Sequence, residues 1–151
     1  MKTQEQRDRE IDDLWEFVWM RFGVAAGGLI TLFASNVGAE AATSSTTYTP
    51  LVNINPSPFT TVSGQKFYAA CYLSSGGGSP GTNDGLVDLY DLTAGASVLS
   101  SVLTISNLTP ATIQSSALAT PLIVGHSYAV RALAQAGGGG QQIKVQTAYI
   151  L

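Results

Sequence analysis

The stretch KFYAACYLS, residues 66–74, alternates with the two-residue period of a β-strand. Successive side chains of a strand point to opposite faces of its sheet. One side carries Phe67, Ala69, Cys71 and Leu73, and the other carries Tyr68, Ala70 and Tyr72. Both sides are apolar, so we expect one to face a core and the other to be covered by a loop or by a second copy of the chain. Cys71 is predicted to be a small buried apolar residue.

Similar short runs follow from residue 46 onward, separated by clusters of Gly, Pro, Ser and Asn. Such spacing is typical of all-β domains and predicts a mainly β, jelly-roll-like sandwich of about eight strands. The candidate strands are TTYTPLVNI (46–54), FTTVS (59–63), QKFYAACYLSS (65–75), GLVDLYDL (85–92), ASVLSSVLTIS (96–106), TIQSSALAT (112–120), HSYAVRALAQA (126–136) and QQIKVQTAYIL (141–151). Alternation adds further core positions: Val87, Leu89, Leu99, Leu103, Ile105, Tyr128, Val130, Ala132, Ile143, Val145, Tyr149 and Leu151.

Charged residues are scarce, at 11% of the chain against a usual value of about 25%. Residues 41–151 balance Lys66, Arg131 and Lys144 against three aspartates, which gives a net charge of zero. A net charge near zero favours association, so we expect a homo-oligomer, with Tyr68 and Tyr72 as candidate interface residues. The sequence has no basic patch, which argues against nucleic acid as a partner.

Residues 1–42 are predicted to anchor the β domain, which then spans residues 43–151. Apolar side chains recur here at the spacing of one helical face, with Trp19 widening the stripe. The stripe residues are Ile11, Leu14, Trp15, Val18 and Phe22. A helix of this length is marginal alone in water, so we expect it to pack on a partner or on its own copies, followed by an extended arm.

Two other interpretations of this segment are less consistent with its composition. A secretory signal needs a positive start, but residues 1–21 hold six acids against four bases. A membrane span needs about 20 strongly apolar residues, and glycines together with polar residues dilute the stretch 22–39. A signal peptide and a membrane span are both disfavoured.

No arrangement of nucleophile, base and acid is visible around the single histidine, His126, so the sequence predicts a non-enzyme without a cofactor. Asp84, Asp88 and Asp91 could bind calcium, but turn roles are favoured for the first and last. The glycine runs 74–85 and 136–140 lack the spacing of phosphate-binding loops and are predicted to connect strands. Candidate aromatic residues for a sugar platform are Tyr48, Tyr68, Tyr72, Tyr90 and Tyr149.

Two segments, GLVDLYDLTAGASVLSS (85–101) and ATPLIVGHSYAVRALAQAGGGGQQIKVQTAYIL (119–151), carry a family resemblance. Their L-Y-D-x-T strand and turn and their G-H-x-Y-x-V-x-A strand resemble β-sandwich proteins of tailed-phage virions, such as capsid decoration (cement) proteins and head fibres. The resemblance covers about residues 64–151. It implies a trimer on the capsid or tail surface, held to the major capsid protein or another virion protein by the N-terminal segment.

These observations predict a non-enzymatic bacteriophage virion structural protein that anchors by its N-terminal segment and oligomerises through its sandwich. The first alternative is a carbohydrate-binding module of a tail or head fibre, which would contact host glycans through exposed tyrosines. The second is a small membrane-anchored β protein.

Overall fold

The computed structural model describes residues 28–34, 40–55, 60–74, 84–135 and 140–151. Within them the chain forms two antiparallel sheets that pack face to face, so the predicted β-sandwich is confirmed. The strands are β1 Ile30–Ala34, β2 Ala41–Thr43, β3 Thr49–Ile54, β4 Lys66–Leu73, β5 Gly85–Asp91, β6 Ala96–Ser97, β7 Leu103–Ile105, β8 Ala111–Ala117, β9 Tyr128–Ala134 and β10 Ile143–Ile150. The N-terminal helix and its stripe were predicted for residues outside this set and stay a prediction. No helix among the described residues is long and apolar enough to cross a membrane.

We call the two layers sheet A and sheet B. In sheet A the order is β1, β10, β4, β8, and β2 pairs with β10 on the edge that β1 also uses. In sheet B the order is β3, β9, β5, and both β6 and β7 pair with the free edge of β5. The long strands β4, β10, β5 and β9 therefore lie at the centre of the two sheets.

The core lies between these central strands, where alternation buries every second side chain. In β4 the side chains of Phe67, Ala69, Cys71 and Leu73 are fully buried, as the sequence predicted. Sheet B supplies the other half of the core from Val87, Leu89, Leu103, Ile105, Tyr128, Val130 and Ala132, all predicted core positions. Complete burial of each large side chain is worth roughly 1.5–3 kcal/mol, so these strands account for most of the hydrophobic stabilisation. Burial also raises the pKa of the Cys71 thiol to about 12.

Three predicted core positions are wrong, for two local reasons. A β-bulge between Val145 and Thr147 inserts a residue into β10, so the inward set continues at Ala148 and Ile150. Tyr149 therefore faces outward, and Leu151 is exposed. Leu99 is 63% exposed, because β6 ends before it and it lies in a turn with Ser100, whose φ is 67°.

Two strand predictions also differ from the structure. The described part of the predicted strand FTTVS, residues 60–63, contains no strand. In addition, β1 and the first two residues of β2 come from the predicted anchoring segment 1–42, and both strands pair with β10. Sheet A therefore extends into the segment that was predicted to be an arm.

Candidate functional site

Two tyrosines stack on the outer face of sheet A. Tyr68 of β4 and Tyr149 of β10 are directly paired in register, so their side chains leave the sheet side by side. Their rings are nearly parallel, with an interplanar angle of 2° and centroids 5.0 Å apart. We call the outer surface of sheet A formed by Tyr68, Tyr72, Tyr149 and their neighbours the tyrosine face.

A depression of about 410 Å³ lies beside this pair, between Tyr149 and strand β1. Its lining is mostly apolar with two threonine hydroxyls, and it consists of Leu29, Thr31, Phe33, Ala34, Thr147, Tyr149 and Leu151. On the other side of the pair, Gln114 of β8 is opposite Tyr68 and is exposed. Amide and hydroxyl groups therefore lie on either side of the aromatic pair, with Gln114 next to Tyr68 and Thr31 next to Tyr149.

A polar cluster occupies the far end of the same face. The Tyr72 hydroxyl and the Gln146 Nε2 both donate to Glu40 Oε1, at 3.4 Å each. Lys144 Nζ lies 5.8 Å from the centre of the Tyr72 ring. Hydrogen bonds from backbone and from Gln146 lower the pKa of the Glu40 carboxyl, which is therefore ionised at neutral pH. Both of these side-chain hydrogen bonds to Glu40 are long for their type.

The outer face of sheet B carries a different arrangement, centred on Asp88 of β5. Arg131 of β9 is paired with Asp88 in register, and its Nε and Nη2 donate to the two carboxylate oxygens at 3.0 and 2.5 Å. Ser97 of β6 donates a further hydrogen bond to Asp88 Oδ2 at 2.7 Å. The Asp88 carboxylate is fully buried by these partners. We call this set, with the two tyrosines below, the arginine cluster.

Two tyrosines cover the guanidinium of the arginine cluster. The Arg131 Cζ atom lies 3.6 Å from the centre of the Tyr90 ring and 4.5 Å from that of Tyr48. Such cation–π contacts are favourable at short range, and more so where water is excluded. Burial raises the pKa of Tyr48, and the nearby charge of Asp88 raises it further. The arginine cluster is a closed network whose groups bond to one another.

A third feature lies at one end of the sandwich, where Asp91 ends β5. Its Oδ1 accepts from the backbone N–H groups of Thr93 and Ala94, which confirms the turn role predicted for this residue. Its Oδ2 lies 2.8 Å from Nδ1 of His126. Burial raises the pKa of Asp91, but the hydrogen bonds from His126 and from the backbone of Ala94 outweigh it, and the net shift is downward.

A cavity of about 260 Å³ opens next to this pair and is lined by Ser97 as well as by Asp91 and His126. Ser, His and Asp are the residue types of a catalytic triad, but here the Ser97 hydroxyl donates its hydrogen bond to Asp88 and not to His126. The arrangement therefore orders the turn and the strand end rather than activating a nucleophile.

The aspartates that suggested calcium are separated by the strand. Asp88 lies on the outer face of β5 and is paired with Arg131. Asp91 belongs to the other set of alternating positions of β5 and is bonded to His126. Within the described ranges no three His, Cys, Asp or Glu side chains are grouped so that they could hold a metal ion.

The structure divides the five candidate sugar-platform tyrosines into two groups. Tyr68, Tyr72 and Tyr149 belong to the tyrosine face, while Tyr48 and Tyr90 are part of the arginine cluster. Sequence reasoning missed the roles of Arg131 and Glu40. Arg131 is 43 residues from Asp88 in sequence, and a single sequence contains no signal for such a pairing.

Comparisons with known proteins give structural likenesses only. No family model matches the chain, and no curated protein matches it. The fold is similar to the CBM36-1 domain of a multidomain xylanase from the hindgut metagenome of Trinervitermes trinervoides, at 9% identity and a TM-score of 0.48, covering 82% of this chain and 95% of that chain. It is also similar to the C-terminal domain of EclA, a sugar-binding protein, at 12% identity and a TM-score of 0.41, covering 84% and 79%. A CBM4 structure matches at 7% identity and a TM-score of 0.41, covering 82% and 94%. At these values the likenesses establish neither a family nor a function.

Proposed function

We propose that this chain is a non-catalytic β-sandwich that binds a glycan chain on the tyrosine face. The observation that supports this most directly is the stacked Tyr68–Tyr149 pair on an open sheet face, next to a depression of about 410 Å³. Outward tyrosines in the middle of a sheet leave apolar area in water, and such area is usually retained for a binding partner.

Carbohydrate suits this surface because a sugar ring is amphipathic. Its C–H groups carry partial positive charge and pack against the negative face of an aromatic ring, while its hydroxyls need hydrogen-bond partners around the edge. The tyrosine face offers both, with rings at its centre and Thr31, Thr147 and Gln114 around them. Apolar area with a few placed polar groups is the usual composition of a ligand site.

The polar cluster around Tyr72 lets the tyrosine face contact more than one sugar unit. Tyr72 lies four residues from Tyr68 on the same side of β4, which is about 13 Å along a strand. Glu40 and Lys144 beside it are charged groups that can accept from and donate to hydroxyls. A chain of sugar units lying along β4 and β10 would contact both groups.

Affinity electrophoresis tests this proposal directly. The full-length protein is run through native gels that contain xylan, mixed-linkage β-glucan, mannan or arabinan, and retardation is measured against a gel without polysaccharide. We expect retardation by at least one of these polymers. Tyr149→Ala removes the ring that lines the depression and should weaken the affinity for that polymer roughly tenfold, as expected for a central aromatic contact.

The matched control is Tyr48→Ala, which makes the same chemical change on sheet B and should leave the retardation unchanged. Thermal melts of both variants show whether each is folded. A protein that no polysaccharide retards, or a Tyr149→Ala variant that binds as well as the wild type, would rule out this site.

A structural role in a virion is the second candidate, with the tyrosine face as the contact between copies and the capsid or tail surface as its location. The favouring observation is the zero net charge of residues 41–151 together with Tyr68 and Tyr72 on one outer face. Light scattering behind a sizing column separates the two. A trimer that Tyr68→Glu dissociates would support the virion role, and a monomer retarded by a polysaccharide would support the glycan-binding role.

A further inference from the structure

Exposed apolar side chains concentrate at the end of the sandwich where β5 ends and β9 begins. Leu92, Leu99, Ile123 and Val124 are 41–63% exposed there. The loops that carry them contact each other, since Leu92 N–H donates to the Ser127 carbonyl at 2.8 Å and Ala119 N–H to the Leu99 carbonyl at 3.3 Å. We call these four side chains, with the cavity of about 260 Å³ between their loops, the apolar end.

The apolar end is held in shape by hydrogen bonds that are buried or partly buried. Leu122 lies beneath it, and its N–H donates to the buried Thr61 hydroxyl at 2.6 Å. The next N–H, that of Ile123, donates to the Tyr128 hydroxyl at 2.8 Å. The turn that projects Leu99 contains Ser100 at a φ of 67°, a conformation that costs free energy for a residue with a side chain. The exposed leucine and isoleucine are therefore fixed in place, as in a preformed docking surface.

The described part of the chain begins at the same end. The Gly28 carbonyl accepts from Gln65 Nε2 at 3.2 Å, and the Gln65 carbonyl accepts from Leu118 N–H at 2.8 Å. Leu118 directly precedes Ala119, which is bonded to Leu99. Whatever precedes Gly28 therefore enters the fold a few residues away from the apolar end.

The sequence that precedes Gly28 matches this surface in chemistry and in reach. Its apolar stripe from Ile11 to Phe22 would extend about 16 Å along a helix. The connecting residues 23–27 span up to about 17 Å when extended, which is enough to turn the stripe back. Such a short tether gives an effective concentration in the millimolar range, so even weak apolar contact would be populated.

We propose that residues 11–22 bind as a helix, through this stripe, to the apolar end of their own chain. The docked helix buries Leu99 and Ile123, and in return it gains the tertiary contact that a short amphipathic helix needs for stability. The contact is independent of glycan binding, because the apolar end lies on the loops of the sandwich and the glycan site lies on the outer face of sheet A.

Tryptophan fluorescence tests the docking, because the only two tryptophans of the chain, Trp15 and Trp19, belong to the segment that docks. In a Trp19→Phe background, emission comes from Trp15 on the stripe alone. We expect a blue-shifted emission maximum and weak quenching by acrylamide. Introducing Leu99→Asp together with Ile123→Asp should shift the maximum to longer wavelength and increase quenching to the level of an exposed indole.

Two further variants keep the result interpretable. Leu14→Asp with Val18→Asp alters the helix instead of the surface and should give the same red shift. Leu108→Asp makes the same change at an exposed leucine near the other end of the sandwich, beside Asn107, and should leave the emission unchanged. Far-UV circular dichroism confirms that the β domain of each variant is folded.

The proposal is overturned if Trp15 of the Trp19→Phe protein, with no other substitution, is already as accessible to acrylamide as in the urea-unfolded chain. It is also overturned if Leu99→Asp with Ile123→Asp leaves the emission unchanged. A blue shift that disappears on dilution, in step with a fall in mass by light scattering, would place the stripe on a second copy and contradict docking within one chain.

Discussion

The outer faces of the two sheets both carry tyrosines, but they use them in opposite ways. On sheet B, Tyr48 and Tyr90 cover Arg131, whose guanidinium is bonded to the buried Asp88. On sheet A, Tyr68 and Tyr149 contact each other, and the Tyr72 hydroxyl donates to Glu40 over a long distance of 3.4 Å. The arginine cluster is closed and stabilises the fold, whereas the tyrosine face is open and is available to a ligand.

The difference follows from where the charges lie. A buried carboxylate must be paired, since an isolated buried charge costs several kcal/mol. Asp88 has Arg131 directly opposite it on β9, and an aromatic ring lies over the guanidinium of the pair. Tyr68 has Gln114 and Tyr149 opposite it, neither of which is charged, so no buried charge obliges this part of the face to close.

The largest expected effect comes from opening the arginine cluster. Arg131→Met removes the partner of the fully buried Asp88 carboxylate and leaves its charge unpaired. We expect the free energy of unfolding to fall by about 3–5 kcal/mol. Urea titration followed by circular dichroism measures this loss.

A double substitution that removes both charges tests this prediction further. Combining Arg131→Met with Asp88→Leu removes both charges and should restore much of the lost stability, because the unpaired carboxylate is then absent. If Arg131→Met alone costs less than about 1 kcal/mol, the level of an ordinary surface substitution, then the arginine cluster is not the closed structural unit described above.

The central strands were predictable because their alternation is regular. In β4 the two-residue period alone assigned four side chains to the core and placed Tyr68 and Tyr72 on the outer face. Val130 and Ala132 of β9 follow the same rule. The position of the tyrosine face on β4 could therefore be derived from the sequence, although its ligand could not.

The errors arise where a local irregularity or a distant contact decides the structure. The bulge in β10 moves Tyr149 from the predicted core to the outer face, and no residue type in QQIKVQTAYIL marks its position. The pairing of Arg131 with Asp88, like that of His126 with Asp91, joins residues that are 43 and 35 positions apart in sequence. The local periodicity of the sequence carries no information about the bulge or about these long-range pairings.

A smaller effect, which depends on pH, is expected at Asp91, where β5 ends. The pKa of Asp91 is lowered below its ordinary value of 3.8, so the folded chain binds this proton less readily than the unfolded chain. The resulting stabilisation is present above about pH 4 and is lost as pH falls through the folded pKa. Urea titrations between pH 5 and pH 2 should show this loss in the wild type.

The control for this prediction is Asp91→Asn, which preserves the turn acceptor but cannot titrate. Its unfolding free energy should fall less steeply below about pH 4 than that of the wild type. Identical slopes in the two proteins would mean that the contact between Asp91 and His126 adds nothing to the acid stability of the fold.

The smallest effect on stability is expected on the tyrosine face itself. Tyr72→Phe removes the hydroxyl that donates to Glu40 at 3.4 Å, and we expect the unfolding free energy to change by less than about 0.5 kcal/mol. On a face that is open for binding, the same substitution should instead reduce the retardation by the polysaccharide that the wild type binds. The contrary pattern, a stability loss above about 1 kcal/mol with unchanged retardation, would make Tyr72 part of a closed network like the one around Arg131, because its hydroxyl would then be stabilising the fold rather than remaining available to sugar.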